Sequence, residues 1–358
     1  MIIQSLELSD FRNYEYLKLE FDEKINIICG ENGQGKTNIP EAIVLCGTSH
    51  SHRGSKDREM IRFGCSEAHI RSRILKSQRQ TDIDLHLRRQ KTKGIAVNRL
   101  PLRRAAELIG VFSVVVFSPE DLRIVKSGPA ERRNFINQTL CQTDQIYFHN
   151  LSRYHKVLQQ RNQLLKDIAD HPSLADTLEV WDLQLVDYGS KVIRRREQFI
   201  EELNRIIAPI HSSITGGREE ICVIYGRNTT PEQFAADLEY SRQRDLRFQL
   251  THIGPHRDDL QFRVNDIDMR DYGSQGQQRT CALSLKLSSI DLIRQDLKEE
   301  PVLLLDDVLS ELDAQRRQDL LKYISGLQTI ITCTGYDEFI QHHFSMDRIF
   351  EVSGGKVV

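Results

Sequence analysis

The 358-residue sequence lacks any long hydrophobic run, since no stretch approaches the ~18 consecutive apolar residues that a membrane-spanning helix needs. It also lacks internal repeats and low-complexity segments. The chain begins directly with the strand-like segment Ile2–Leu8, so we expect neither a signal peptide nor a membrane span. An apolar content of 39% is enough for buried cores, and the length favours roughly two or three domains.

Paired cysteines are missing too. The seven cysteines are scattered at positions 29, 46, 65, 141, 222, 281 and 333 without any C-x-x-C pair. Scattered thiols are typical of a reduced, cytoplasmic protein. His50 and His52 have no cysteine or carboxylate partners at ligand spacing, so we expect no zinc-type metal site.

The net charge of −2 gives no indication of a nucleic-acid partner, but the distribution of charge does. Residues 71–104 contain eleven Lys or Arg against two acids, Asp82 and Asp84, and the alternating pattern of residues 81–88 predicts strands. Neither an aromatic-interleaved basic stripe nor a helix-turn-helix pattern is present, so we expect contact with the DNA backbone and shape. An ordinary solvated sheet face is the alternative. The candidate DNA contacts are Arg71, Arg73, Arg88, Arg89, Lys91 and Lys93.

A complete phosphate loop, G-x-x-x-x-G-K-[ST], occupies residues 30–37 and follows the apolar segment Ile25–Cys29, which predicts a buried strand. Its three glycines let the backbone curl, so that successive N–H groups form an anion nest. We expect Lys36 to reach the terminal phosphates and Thr37 to bind Mg²⁺ at a helix N-terminus. The sequence therefore predicts a nucleoside triphosphate site, whose candidate residues are Gly30, Glu31, Asn32, Gly33, Gln34, Gly35, Lys36, Thr37 and Asn38.

Pro40 is the unusual residue of this region. It falls on the helix that we expect to begin at Gly35 or Lys36, where proline removes an amide donor. Proline costs little only in the first turn of a helix. We therefore expect a kinked or shortened helix and no loss of nucleotide binding.

A second apolar run, Pro301–Asp307, ends in two carboxylates. This pattern favours a buried parallel strand that presents Asp306 to a metal ion. In a compact nucleotide-binding sheet we expect this strand close to the one before the phosphate loop. Because the two lie far apart along the chain, a large insertion must separate them.

The segment Tyr272–Arg279 precedes apolar residues at helical spacing. Ser274 fits the N-cap and Gln277 the third helical position, which together form a capping-box pattern. A helix N-terminus with a serine hydroxyl and flanking glycine amides is a second phosphate-binding device. An ordinary capped helix is the alternative.

The chain between these motifs is predicted to be helical. Apolar residues keep a 3-4 spacing from Leu151 to Ile168 and again from Leu178 to Ile206, with a break at residues 171–173. Two facing helices of this length form a short antiparallel hairpin.

On these motifs the sequence resembles the ABC-type ATPases of the SMC-like branch, and within it the RecF family of bacterial recombination mediators. The resemblance spans nearly the full length. Its most family-specific string is Gly254–Leu260, in which His256 and Arg257 stay unassigned. The other matching strings are Leu8–Asn13, Gly30–Asn38, Ser51–Arg53, Phe117–Leu122, Gly273–Thr280 and Leu304–Asp313.

The resemblance implies an α/β fold: an ABC-type P-loop ATPase head built from N- and C-terminal segments, with a helical insertion domain. We assign residues 1–118 to the N-terminal part of the head, with the phosphate loop and the basic strands. Residues 119–248 form the helical insertion. Residues 249–358 form the C-terminal part of the head, with the signature motif, the Walker B strand and the D-loop.

The resemblance also implies roles for single residues. Asp306 would hold Mg²⁺ together with Thr37, and Asp307 would stand where most ABC enzymes place the glutamate that activates water. Aspartate is one methylene shorter, so we expect slow hydrolysis, with Asp307 and Lys36 as the catalytic residues. Thr334 stands where transporters carry a switch histidine, which makes it a candidate γ-phosphate sensor, although a plain strand-end threonine is the alternative. The signature residues Ser274, Gln275 and Gly276 would contact the γ-phosphate bound by the other subunit.

The implied function is an ATPase of DNA replication and recombinational repair. ATP would close a homodimer over double-stranded DNA, with a preference for gapped or junction DNA. The implied partners are RecR and, indirectly, RecO and the RecA recombinase. Two alternatives stay open. One is an ABC transporter ATPase subunit, which the long insertion, Asp307 and Thr334 disfavour. The other is a DNA clamp with a vestigial nucleotide site, which the intact Lys36, Thr37 and Asp306 disfavour.

Overall fold

The computed structural model describes residues 1–334 and 348–357, so residues 335–347 of the predicted C-terminal head segment lie outside the described residues. The strands are β1 (Ile2–Phe11), β2 (Tyr14–Glu20), β3 (Ile25–Cys29), β4 (Glu67–Lys76), β5 (Arg79–Arg88), β6 (Gly94–Val97), β7 (Leu100–Pro101), β8 (Val114–Phe117), β9 (Ile221–Gly226), β10 (Asp259–Val264), β11 (Ile267–Asp268), β12 (Val302–Asp306), β13 (Thr329–Cys333), β14 (Arg348–Ser353) and β15 (Lys356–Val357). The helices are α1 (Asn38–Thr48), α2 (Leu122–Lys126), α3 (Pro129–Thr143), α4 (Gln145–Asp170), α5 (Leu178–Thr215), α6 (Phe234–Tyr240), α7 (Arg242–Phe248), α8 (Gln275–Leu297) and α9 (Ala314–Ile324). Within the described residues, none of these helices is long and apolar enough to cross a membrane.

The chain divides into two compact units. The first contains Met1–Asp121 and Ser289–Val358, and the second contains Leu122–Ser288. The first unit is therefore built from both ends of the chain, with the second unit inserted between them in sequence.

A six-stranded sheet of the first unit has the order β15-β14-β3-β13-β12-β8. All strands except β15 run parallel, and β12 is buried along its whole length, which explains its continuous apolar sequence. The two strands that carry the predicted nucleotide motifs, β3 and β12, lie in the same sheet with only β13 between them.

A second six-stranded sheet of this unit is antiparallel, with the order β2-β1-β4-β5-β6-β7. Buried and exposed residues alternate along β4, and the predicted strand pattern of residues 81–88 is confirmed by β5. Helix α1 packs against strands of both sheets. One apolar core results, to which β1, α1 and β12 contribute Leu6, Ile43 and Leu304.

The predicted helical hairpin lies in the second unit and is confirmed. Helices α4 and α5 pack along each other and are joined by a 3₁₀ helix, Pro172–Thr177, at the predicted break. Gly189 of α5 allows a close approach, because a Cβ atom there would overlap the ring of Phe234. Tyr154, Leu185 and Phe234 form a core beside it.

The second unit is not only helical. It also contains a three-stranded antiparallel sheet with the order β11-β10-β9. The sequence assigned residues 249–288 to the C-terminal part of the head, whereas here they fold with the inserted unit. The reason is that β10 satisfies its backbone hydrogen bonds by pairing with β9.

Candidate nucleotide-binding site

The phosphate loop, Gly30–Thr37, connects β3 to α1. Gly30 and Gly35 have φ values of 150° and 112°, in the region that favours glycine. A Cβ atom would overlap the carbonyl oxygen of Val352 at Gly30 and the side chain of Asn13 at Gly35. These two glycines are therefore needed both for the backbone conformation and for close packing.

The turn between β1 and β2 holds the loop in place. The Nδ2 group of Asn13 donates to the carbonyl oxygen of Gln34 at 2.7 Å, and the Tyr14 hydroxyl donates to the carbonyl oxygen of Gly35 at 3.0 Å. Burial raises the pKa of Tyr14, so its hydroxyl keeps the donated proton. The backbone N–H of Gly354 donates to Oε1 of Gln34 at 2.6 Å. The loop is thus held by two surrounding segments, the β1–β2 turn and the β14–β15 turn.

Lys36 lies inside the loop. Its side chain is only 3% exposed, and Nζ donates to the carbonyl oxygens of Gly30 and Glu31 at 2.5 and 3.0 Å. Its ammonium group therefore lies where the loop backbone curls around it. At the end of the loop, Nη1 of Arg53 donates to Oγ1 of Thr37 at 3.4 Å.

The helix after the loop begins at Asn38, so the prediction of a start at Gly35 or Lys36 is wrong. Pro40 lies in the first turn, where backbone N–H groups have no partner within the helix. Proline therefore removes no helical hydrogen bond here, and the expected kink or shortening stays a prediction.

Helix α1 is anchored by a buried carboxylate that the sequence did not reveal. Glu41 is fully buried and accepts two hydrogen bonds from Arg12, both at 2.8 Å, and one from Ser51 at 2.5 Å. Burial alone would raise the pKa of Glu41, but these hydrogen bonds outweigh it and hold the pKa below its usual value. Arg12 therefore positions the helix that follows the loop.

Asp306 and Asp307 lie at the carboxyl end of β12. Thr332 of β13 is in register with Asp306, and its hydroxyl donates to Oδ1 of Asp306 at 2.7 Å. The same hydroxyl oxygen accepts from the backbone N–H of Asp307 at 3.0 Å. Burial raises the pKa of Asp306, and the hydrogen bond from Thr332 offsets part of that rise. One threonine therefore orients the side chain of one aspartate and the backbone of the next.

The role of Thr332 was not predicted from the sequence, because its partner Asp306 lies in another strand. A signal was present, however. Two parallel strands whose ends meet at one sheet edge bring the last polar residue of each into reach, and Thr332 lies near the end of the apolar segment that forms β13.

Replacing Thr332 by valine is expected to lower the free energy of unfolding by about 1–3 kcal/mol, because the half-buried N–H of Asp307 and the buried carboxylate of Asp306 lose their partner. We also expect a higher Mg²⁺ concentration for half-maximal nucleotide binding, since Asp306 is no longer oriented. Chemical denaturation and Mg²⁺ titration measure the two effects.

Thr329→Val is the matched control, because the buried hydroxyl of Thr329, on the same strand, donates to the carbonyl oxygen of Leu327 at 3.2 Å and has no carboxylate partner among the described contacts. A Mg²⁺ requirement that changes equally in both variants would contradict the role of Thr332.

Thr334 follows β13 directly and is exposed. Because Cys333 pairs with Cys29, Thr334 and the start of the phosphate loop lie side by side at the carboxyl edge of the sheet. The strand order β3, β13, β12 thus brings the loop, Thr334 and the Asp306–Asp307 pair to one edge. Parallel α/β sheets bind ligands at this edge.

The predicted capping box at Ser274 is confirmed. The backbone N–H of Gln277 donates to the Ser274 hydroxyl at 3.2 Å, and the backbone N–H of Ser274 donates to Oε1 of Gln277 at 3.1 Å. Helix α8 begins at Gln275, which is exposed like Ser274, and Gly276 is half-buried. The signature segment, Ser274–Gly276, therefore presents a helix N-terminus at the surface of the second unit.

The candidate DNA contacts lie on or beside β4 and β5, and five of the six make local bonds. Lys91 is exposed. The local bonds join Arg71 to Asp84 (2.5 Å), Arg73 to Asp82 (2.8 Å), Arg88 to the carbonyl oxygen of Thr92 (2.7 Å), Arg89 to that of Cys65 (2.8 Å), and Lys93 to Asp57 (3.0 Å). Their role in DNA binding stays a prediction.

Asp258 of the family-specific string Gly254–Leu260 lies in a buried polar cluster of the second unit. Asp258 accepts from Nη1 of Arg196 at 2.8 Å, from the Tyr225 hydroxyl and from the backbone N–H of Asn228 at 2.9 Å. Burial raises the pKa of Asp258, and the Arg196 charge opposes that rise.

The two unassigned residues of the string also have partners inside this unit. Nδ1 of His256 lies 2.6 Å from the Tyr154 hydroxyl, and Nη2 of Arg257 donates to the carbonyl oxygen of Thr251 at 3.4 Å. Burial lowers the pKa of His256 to about 4, so its ring is neutral. These contacts favour a structural role.

Comparison with known proteins identifies the family. Residues 2–356 match the family model described as RecF/RecN/SMC N terminal domain. A curated relative from Agathobacter rectalis, named DNA replication and repair protein RecF, is 56% identical over 357 residues, which make up 100% of this chain and 99% of the relative. The chain belongs to the RecF family.

Solved structures agree with this RecF membership. The structure described as the recombination mediator protein RecF-ATP in the RecFOR pathway is 35% identical, with a TM-score of 0.93 over 100% of this chain and 97% of that one. An Smc head domain from Pyrococcus furiosus, 17% identical, reaches a TM-score of 0.57 over 100% of this chain and 96% of that one, and so shares the fold. The predicted family and the predicted α/β fold of an SMC-like ATPase head are confirmed.

Proposed function

We propose that this RecF-family chain binds ATP with Mg²⁺ and uses it to control its attachment to DNA during replication and recombinational repair. The observation that carries the proposal is the convergence of the phosphate loop, Thr334 and the Asp306–Asp307 pair at one sheet edge. The names of its relatives, which include a RecF described with ATP, support both the process and the nucleotide.

Each residue of the site has a separate role. Lys36 exchanges the loop carbonyls for the terminal phosphates, while the loop N–H groups hold the phosphate oxygens. The hydroxyl of Thr37 and the carboxylate of Asp306 are oxygen donors of the kind that Mg²⁺ prefers, and they would hold this ion. The ion would neutralise the developing phosphate charge. Asp307 orients the attacking water and accepts its proton, and Thr334 contacts the γ-phosphate.

The second phosphate-binding device, the signature segment, supports a homodimer. The signature segment is a capped helix N-terminus at the protein surface, which is suited to the γ-phosphate held by a partner subunit. ATP would then join two heads, and slow hydrolysis would separate them. Family membership supports gapped or junction DNA as the substrate, RecR as direct partner, and RecO and RecA as later partners in loading the recombinase in the cytoplasm.

Fluorescence anisotropy of labelled gapped DNA tests this function. We expect tight binding with ATP, weak binding with ADP or without nucleotide, and loss of the ATP effect in Lys36→Ala, because the phosphates lose their only lysine partner in the loop. Lys24→Ala is the matched control, since this exposed lysine precedes β3 and lies outside the loop.

Wild-type DNA binding that is equally tight with ATP, with ADP and without nucleotide would instead support the clamp with a vestigial site. Absence of binding under all conditions would contradict DNA as the substrate. The transporter alternative is set aside by the family assignment, whose relatives match over the full chain.

A further inference from the structure

Three side chains with metal-binding atoms meet on the exposed face of the antiparallel sheet. Glu67 and His69 lie on β4 two residues apart, on the same face, and His86 lies directly opposite His69 on β5. Nε2 of His86 lies 2.8 Å from Oε2 of Glu67, and the two imidazole rings stack with centroids 4.0 Å apart. One ligand atom from each residue lies within 4.8 Å of the others.

Two imidazole nitrogens and one carboxylate oxygen are a ligand set used by zinc sites that keep one position open. Metal–ligand distances of about 2.0–2.2 Å require the ligand atoms to lie roughly 3.3–3.5 Å apart. Small side-chain rotations bring the ligand atoms, which lie within 4.8 Å of one another, to this separation. Since Glu67 and His69 are exposed and His86 is half-buried, such rotations disturb no core packing.

We propose that Glu67, His69 and His86 bind one divalent transition-metal ion of the zinc type. The fourth position faces solvent and accepts water or an external donor.

The surroundings favour this reading over a simple histidine–glutamate ion pair. A shallow pocket of about 360 Å³ borders both histidines. Gly94 lies opposite His86 on β6 and has no side chain there, which leaves room for a fourth ligand. Arg71 of β4 is bound to Asp84 at 2.5 Å, so its charge is compensated, and Arg88, opposite Glu67 on β5, donates to the carbonyl oxygen of Thr92 at 2.7 Å.

Spacing along the chain does not reveal this site. Glu67 and His69 form only a Glu-x-His pair, and His86 comes from the next strand. The expectation of no zinc-type site rested on His50 and His52. It did not take in His86, because the pairing of β4 with β5 is not evident from the sequence. The ten-residue strands and their register bring the third ligand into place.

The test uses the full chain without an affinity tag and stripped of metal with a chelator. Co²⁺ absorption reports the coordination geometry, and titration of Zn²⁺ against a chromogenic chelator reports affinity. We expect one equivalent of Zn²⁺ per chain, loss of this binding in the His69→Ala/His86→Ala double variant, and at least about tenfold weaker binding in Glu67→Gln, because one of three ligands is altered. Zn²⁺ should also raise the melting temperature of the wild type and leave that of the double variant unchanged.

Two matched controls account for other donors. His171→Ala removes an exposed histidine of the second unit, and Cys65→Ser removes the cysteine nearest to Glu67 in sequence. Both should bind Zn²⁺ like the wild type. Stoichiometric binding that survives in the double variant, or no saturable binding in the wild type, would overturn the proposal. The Lys36→Ala variant should keep Zn²⁺ binding. The metal-site proposal is therefore tested independently of the proposed nucleotide site.

Discussion

Replacing Asp258 by alanine is expected to lower the free energy of unfolding by about 3–5 kcal/mol, because the substitution leaves the buried charge of Arg196 without its carboxylate partner. The side chains of Arg196 and Asp258 are only 2% and 1% exposed. The Tyr225 hydroxyl and the backbone N–H of Asn228 lose their acceptor at the same time. The single tryptophan, Trp181, lies on α5 of the same unit, so its fluorescence during urea denaturation reports this loss.

An exposed pair on the same helix provides the control for this prediction. Lys191 and Asp187 form an i,i+4 ion pair at 2.8 Å, with both side chains about half exposed. Asp187→Ala is expected to change the free energy of unfolding by only about 0.3–0.5 kcal/mol. A double variant, Arg196→Met with Asp258→Leu, should recover part of the loss, because no unpaired charge remains. Equal losses for Asp258→Ala and Asp187→Ala would contradict a buried charge cluster.

This cluster changes the meaning of the most family-specific string in the sequence. Gly254–Leu260 identifies the family, yet its described side chains bind within their own unit. His256 lies beside the Tyr154 hydroxyl, and Asp258 joins Arg196 of α5 to Tyr225 of β9. These internal contacts favour a structural role for His256 and Asp258, whereas Arg257 is exposed.

The sequence predicted those parts of the site that depend on neighbours along the chain. The phosphate loop needs glycines at fixed spacing, and all three of them have the positive φ values that only such residues adopt easily. The Ser274 capping box depends on a residue three positions away. Both were predicted because a local backbone conformation needs particular residue types at set distances.

The parts that the sequence missed depend on pairing between distant segments. Thr332 orients Asp306 only because β12 and β13 are in register, and Arg12 reaches Glu41 across 29 positions of the chain. Asn13 reaches the phosphate loop from the turn between β1 and β2. A single sequence does not record which strands pair or with what register, so these contacts needed the structure.

Replacing Asp307 by asparagine is expected to slow single-turnover ATP hydrolysis by about 10²–10⁴-fold while ATP binding and ATP-dependent DNA binding persist, because the amide keeps the shape of the side chain but does not accept a proton. The backbone should not change. Asp307 has a left-handed φ of 53°, which asparagine tolerates well, and its N–H keeps the Thr332 hydroxyl as acceptor. Quench-flow measurement of phosphate release and anisotropy of gapped DNA check the two halves of this expectation.

The left-handed backbone of residue 307 also gives a physical reason for aspartate there, because a longer side chain adopts this conformation less readily. If the short side chain is what limits hydrolysis, Asp307→Glu should raise the single-turnover rate despite this backbone cost. An unchanged rate would refute that explanation of slow turnover. Asp319→Asn on α9 is the matched control, because its carboxylate bonds only to the exposed Gln315 among the described contacts and should leave the rate as in the wild type. If Asp307→Asn hydrolysed ATP as fast as this control, Asp307 would not be the group that activates water.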